Sequence, residues 1–204
     1  MRPSPLYNVI AALSAPVLYG LYRLRVRGRA NLPAGGGFVL ACNHVSSFDP
    51  WPLAMPLWPK RYLRFMAKSE LYWWPLTLVL NNAGAFPVRR GQRDLEAIET
   101  AVNLARDGHV VAMFPEGTRR TKGLVKRHEA RPHSGAARIA LEADVPLVPA
   151  AVKGTDKLMR LGALRVAYGA PIDVADLRDV ELGEAARIAT ERLMAKIGDL
   201  EASL

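Results

Sequence analysis

The sequence predicts an α/β protein: a layered αβα single domain around a mostly parallel mixed sheet, preceded by an N-terminal membrane-associating helical segment. Three observations lead there. Short apolar runs at residues 38–42, 109–114 and 145–152 are hydrophobic on both faces, as strands covered by helices on either side must be. Between them, residues 94–106 and 134–142 have helical spacing, and alternation of strand with helix is the pattern of a parallel sheet. The chain also begins with an uncharged stretch, residues 3–22. With 204 residues, half of them hydrophobic and 23% charged, one domain with a sizeable core is expected, and disordered, collagen-like and polytopic membrane classes are excluded. The expected division is a membrane-associating segment at 1–29 and the main domain at 30–204.

The first element is the apolar stretch 6–22. As a helix it spans about 25 Å, short of the roughly 30 Å of a bilayer's hydrocarbon core. The reading is therefore a helix or hairpin lying in the membrane surface, anchored by Tyr7, Tyr19 and Tyr22. An ordinary helix packed on the domain is the alternative. Arg23, Arg25, Arg27 and Arg29 alternate with Leu24, Val26 and Gly28, which is strand periodicity with one basic face. A glycine-rich loop at 31–37 leads into the strand at 38–42, which ends at Asn43 and His44. The helix at 94–106 turns through Asp107 and Gly108 into the strand at 109–114. The helix at 134–142 precedes the strand at 145–152, a last strand is expected at 164–168, and a closing helix begins near Leu182.

Charge narrows the partners. Lys and Arg number 28 against 19 Asp and Glu, a formal +9, and no acid precedes Asp49. Such a balance calls for an anionic partner: nucleic acid, an anionic membrane or a phosphorylated substrate. No helix-turn-helix pattern, RNA-recognition signature or zinc finger is present, and the aromatics are not interleaved with the basic run, so nucleic acid is not expected. All four tryptophans, Trp51, Trp58, Trp73 and Trp74, fall in one stretch with Tyr62 and Tyr72, suiting a membrane interface or an acyl-chain groove, with a plain core cluster as the alternative. The lone cysteine, Cys42, excludes a disulfide framework, and no Cys or His group has zinc spacing, so no metal is expected.

Ligands of open α/β sheets bind beyond the carboxyl ends of strands, which is where His44 stands. A regular helix would put Asp49 about 140° away from it, so the segment must turn. Pro50 biases Asp49 out of the α region, and Ser46 and Ser47 favour local bonds to backbone, a combination that folds Asp49 back onto His44. A carboxylate on Nδ1–H fixes the tautomer and leaves Nε2 to accept a proton from a hydroxyl, which makes a general base. Cys42 with His44 is the rival pair, a thioesterase or cysteine hydrolase, but Cys42 lies inside an apolar run and reads as a small buried hydrophobe.

The strand at 109–114 ends in Phe114, Pro115, Glu116, Gly117, Thr118, Arg119 and Arg120. Gly117 can take a positive φ that aims backbone N–H groups at an anion, Thr118 adds a hydroxyl, and Arg119 or Arg120 a bidentate fork. A third apolar stretch ends in Arg89 and Arg90, after Gly84 to Val88.

Together these segments resemble the glycerophospholipid acyltransferase family, and within it the 1-acylglycerol-3-phosphate acyltransferases. Asn43, His44 and Asp49 match its first motif, residues 84–90 its second, 114–119 its third and 145–149 its fourth. The resemblance implies transfer of a fatty acyl group from a thioester, acyl-CoA or acyl carrier protein, to the free hydroxyl of lysophosphatidic acid, giving phosphatidic acid. His44 would then deprotonate the hydroxyl and Asp49 orient it, while Arg89, Glu116, Gly117, Thr118 and Arg119 match the residues assigned to the acceptor's glycerol phosphate. Neither a cofactor nor a covalent acyl-enzyme is implied, and the enzyme would sit on the cytoplasmic face of a membrane. Two departures concern the acceptor: Pro132 and His133 stand where members often have an aromatic and a lysine, and Pro87 and Val88 stand before Arg89 where many members have an acid. Another lysophospholipid, glycerol 3-phosphate or a glycolipid is the alternative acceptor.

Overall fold

The computed structural model describes residues 4–89, 95–117, 121–122, 126–127 and 132–204. Helix α1 (Pro5–Pro16) begins where the Ser4 hydroxyl accepts from the Tyr7 N–H and Pro5 takes the first position, where no N–H is needed. Pro16 withholds the next N–H, and the chain continues as a π-helical turn, Val17–Leu21. Then follow β1 (Arg25–Arg27), β2 (Phe38–Cys42), α2 (Pro50–Ala54), β3 (Leu63–Lys68), α3 (Leu76–Asn82), β4 (Ala85–Val88), α4 (Leu95–Arg106) and β5 (Val110–Met113). A two-strand hairpin, β6 (Thr121–Lys122) and β7 (Lys126–Arg127), precedes α5 (Gly135–Ala143), β8 (Leu147–Lys153), β9 (Arg165–Tyr168) and α6 (Leu182–Ala202).

Seven strands form one sheet in the order β1-β9-β8-β2-β5-β3-β4. Every neighbouring pair is parallel except β8 with β9, so β1 and β9 run against the other five. The central strand β2 is buried on both faces: Phe38, Leu40 and Cys42 enter the layer built by α1 and α2, while Val39 and Ala41 enter the layer built by α4, α5 and α6. This is the αβα sandwich that the apolar runs predict. Tyr168 ties the layers, its buried hydroxyl donating to the Leu53 carbonyl at 2.9 Å.

The sequence reading needs correction at three places. Strand β3 and helix α3 fall where the sequence predicts no element, and β4 falls in the third apolar stretch; together they extend the sheet to its β4 edge. Tyr7 is not an interfacial anchor: it is buried, edge-on to Tyr62 with ring centres 4.6 Å apart, and Tyr22 packs edge-on to Trp51. Helix α1 therefore packs on the domain through one face, its Asn8 side-chain Oδ1 accepting from the Trp58 indole N–H at 3.0 Å, and leaves Leu6, Val9 and Leu13 exposed on the other. Among the described residues no helix is long and apolar enough to cross a membrane. Finally, Asp49 has φ −53° and ψ −39°, inside the α region that Pro50 disfavours. The contacts of its carboxylate account for that.

Candidate active site

His44 stands two residues past β2, at the carboxyl end of the strand, with β5 on one side and β8 on the other. The chain then turns through residues 45–49 and enters α2 at Pro50. Two elements of the turn are local: the Ser46 carbonyl accepts from the Asp49 N–H, and its hydroxyl accepts from the Phe48 N–H. A third brings the motif together. Asp49 Oδ2 lies 2.8 Å from His44 Nδ1 and accepts from the Val45 and Ser46 N–H groups at 2.8 and 2.9 Å. Since an ionised carboxylate only accepts, Nδ1 carries the hydrogen and Nε2 keeps its lone pair. These bonds hold Asp49 in the α region against the push of Pro50, because three charge-assisted contacts outweigh a local steric bias.

Both groups are buried, Asp49 fully and His44 to 6% exposure. Within 4 Å, His44 is the one ionisable group paired with Asp49 among the described residues, so hydrogen bonds rather than a basic side chain hold the carboxylate in the interior. The fourth of them comes from far along the chain: the Thr155 hydroxyl donates to Oδ1 at 2.5 Å. Phe114, at the end of β5, stacks on the imidazole with ring centres 4.3 Å apart and 25° between planes, which fixes the ring's rotation. Asn43 closes β2 onto β8: its amide accepts from the Val152 N–H at 2.8 Å and donates to the Val152 carbonyl at 3.0 Å. Nε2 of His44 has no hydrogen-bond partner among the described residues.

Of the remaining residues singled out by sequence, Glu116 and Gly117 lie in the turn that leaves β5, next to β2. Glu116 is buried, and Gly117 takes φ +64°, the left-handed conformation that the turn requires. Arg89 is exposed just past β4, three strands from β2 and so about 14 Å away across the sheet. Thr118 and Arg119 lie outside the described residues. Thr155 and Phe114 carry contacts that motif reading did not anticipate, although each stands at the carboxyl end of a strand flanking β2, which is a signal in itself. Cys42 is 1% exposed within β2.

Beside the turn, between α1 and α2, opens an apolar pocket of about 170 Å³ lined by Tyr7, Ala11, Phe48, Trp51, Trp58 and Phe65 among others. Among the described residues no cluster of three or more His, Cys, Asp or Glu side chains could hold a metal ion.

What this geometry offers is a buried proton acceptor at a strand end beside an apolar pocket, and known proteins share the chain around it. The sequence pattern of the Acyltransferase family matches residues 23–153. A 1-acyl-sn-glycerol-3-phosphate acyltransferase of Bacillus subtilis is 33% identical over 187 residues, 89% of each chain. A chloroplast enzyme of the same name from Brassica napus is 28% identical over 77% of this chain but only 45% of its own length. The crystal structure of the 1-acyl-sn-glycerophosphate acyltransferase from Thermotoga maritima superposes with a TM-score of 0.65 over 96% of this chain and 78% of that one, at 22% identity, and shares the fold. With that family pattern lying over well over half of its residues, His44 and Asp49 included, the chain belongs to the acyltransferase family.

Proposed function

We propose that this enzyme moves a fatty acyl group from acyl-CoA or acyl carrier protein to the sn-2 hydroxyl of 1-acylglycerol 3-phosphate, giving phosphatidic acid for phospholipid synthesis. One observation carries the mechanism: His44 Nδ1 stands 2.8 Å from Asp49 Oδ2, and Nε2 has no hydrogen-bond partner among the described residues. Nε2 takes the proton of the acceptor hydroxyl as the oxygen attacks the thioester carbonyl. The tetrahedral intermediate collapses with loss of the thiolate, and the imidazolium returns the proton to sulfur. Asp49 supports the positive charge that His44 carries between the two transfers. A thioester is activated enough for this route, so no cofactor enters.

Arg89, with Arg119 and the Thr118 hydroxyl, supplies the cationic and donor groups that a phosphate needs, and the last two follow Gly117 in the sequence. Glu116 is buried in the turn beside Gly117, and both belong to the same proposed phosphate site. The apolar pocket between α1 and α2 suits an acyl chain. The exposed Leu6, Val9 and Leu13 of α1, together with Trp73 and Trp74 before α3, suit a bilayer surface, with the arginines of residues 23–29 on anionic headgroups. This reading puts the enzyme on the cytoplasmic leaflet.

The test is an acyl-transfer assay on purified protein with both donor types and a panel of lysolipids, glycerol 3-phosphate and glycolipid acceptors. Phosphatidic acid as the fastest-formed product is the expected result. Efficient acylation of another acceptor with none of lysophosphatidic acid overturns the acceptor assignment, and release by nuclease of the protein from a membrane fraction points to nucleic acid instead.

A further inference from the structure

Asp49 is held unevenly, and the unevenness singles out one remote residue. The donors to Oδ2 are His44 Nδ1, the Val45 N–H and the Ser46 N–H, all within the four residues that follow β2. Among the described residues Oδ1 has one partner, the hydroxyl of Thr155, 106 positions along the chain, at 2.5 Å. A carboxylate fastened through one oxygen can still pivot about it, since the terminal torsion of an aspartate is broad. A second fastening at the other oxygen fixes the plane of the group and hence the direction of the Oδ2 lone pair that meets Nδ1.

Thr155 is built into place. It is 2% exposed and follows Gly154, whose φ of +97° turns the chain out of β8; a Cβ on Gly154 would stand 2.8 Å from the Ala163 carbonyl oxygen. Three residues earlier, Val152 is clamped through its N–H and carbonyl by the Asn43 side chain, so the end of β8 is registered against the end of β2. Position relative to Asp49 is therefore set by the sheet and not by a mobile loop. The donated bond also spreads carboxylate charge that no Lys or Arg among the described residues pairs with.

From this geometry we infer that Thr155 is a positioning residue for acyl transfer, acting through Asp49 on the imidazole of His44. The inference rests on His44 being the base, and the experiment separates the two. The purified full-length chain is compared with Thr155→Val, Thr155→Ala, Thr155→Ser and His44→Ala in acyl transfer from acyl-CoA to lysophosphatidic acid, with thermal unfolding measured alongside. Loss of the hydroxyl, in Val and Ala alike, is expected to lower kcat roughly 10- to 100-fold, the range of a hydrogen bond to a charged group, while both KM values stay within about twofold. Ser keeps the hydroxyl and should stay within about threefold of the parent kcat. If Val unfolds, Ser and Ala decide the matter per folded molecule, since they differ by the hydroxyl alone. The role is overturned if Val or Ala keeps more than half of kcat, if Ser falls as far as Ala, or if KM rises in place of the loss in kcat. Full activity of Thr155→Val beside an inactive His44→Ala rejects Thr155 only. Turnover by His44→Ala overturns the base and this role together.

Discussion

Gly117 bears the imidazole of His133 against its α-carbon: a methyl group there would stand 2.5 Å from Cδ2 and 2.8 Å from Nε2 of that ring. The His133 backbone is pinned to the same turn, its N–H donating to the Pro115 carbonyl at 2.7 Å, while its side chain is exposed. An exposed ring can swing aside, so the lasting penalty of Gly117→Ala is the left-handed φ, about 1–2 kcal/mol of stability. Adding His133→Ala should recover little of it in denaturant unfolding. Recovery of most of the loss would show that the ring is locked and the contact, not the backbone, sets the penalty.

Asp49→Asn tests the charge without removing the bonds. With its oxygen at the Oδ2 position the amide still accepts from His44, Val45 and Ser46, and its NH₂ can donate to the Thr155 hydroxyl, which rotates to accept. Folding should survive, yet the imidazolium formed during transfer loses its counter-charge. We expect kcat to fall by about 10²–10⁴ with the melting temperature changed by only a few degrees. A variant within tenfold of the parent would remove the carboxylate charge from the mechanism.

His109, just before β5, gives a pH prediction for stability. Burial pushes its imidazole below the ordinary histidine value and Arg64 adds to the shift, with Asp107 opposing. Between the lowered value and the ordinary one near 6.5, the unfolded chain takes up a proton that the native one refuses. The contribution is therefore present above pH 6.5 and is lost as pH falls through that window. His109→Gln removes the group, and its melting temperature should decline less between pH 7 and pH 5 than that of the parent. Equal declines would contradict the assignment.

Leu13 is 70% exposed on α1 and Trp74 is 84% exposed before α3. Neither supports the core, so Leu13→Glu and Trp74→Glu should fold normally. Burying one such side chain in an apolar medium is worth about 1.5–3 kcal/mol, so each variant should bind anionic vesicles roughly tenfold or more weakly in co-sedimentation. Unchanged sedimentation of both would take the membrane surface away from this face.

Reading of the site and fold from sequence succeeded where the signal is local. Strand β2 is bounded by a glycine cluster and by Asn43, and its five apolar residues have one interpretation. The pairing of His44 with Asp49 follows from a spacing that helix geometry cannot satisfy. Strand β3 escaped because Arg64 and Lys68 interrupt its apolar residues, leaving neither an alternating nor a continuous hydrophobic pattern. The faces of α1 could not be assigned because residues 6–22 are apolar nearly all round, and only packing shows that Tyr7 turns inward while Leu13 turns out. The backbone of Asp49 defied its proline neighbour because the deciding bonds, from His44 Nδ1 and the Val45 and Ser46 N–H groups, exist only once the turn has formed, and the Thr155 bond across 106 positions has no period to detect.

Strand β1 has a consequence in time. Its partner is β9, with Arg25 in register with Arg165, so the edge that follows α1 cannot pair until roughly 140 more residues have been made. At 5–20 residues per second, synthesis of that length takes about 7–28 s. The partners of α1's inner face come sooner, since Trp58 and Tyr62 follow Asn8 and Tyr7 by 50 and 55 residues, so the helix can dock while the sheet edge beside it is still open. An attachment made through Leu6, Val9 and Leu13 leaves Tyr7 and Ala11 to the domain, so anchoring and folding do not compete for the same side of the helix.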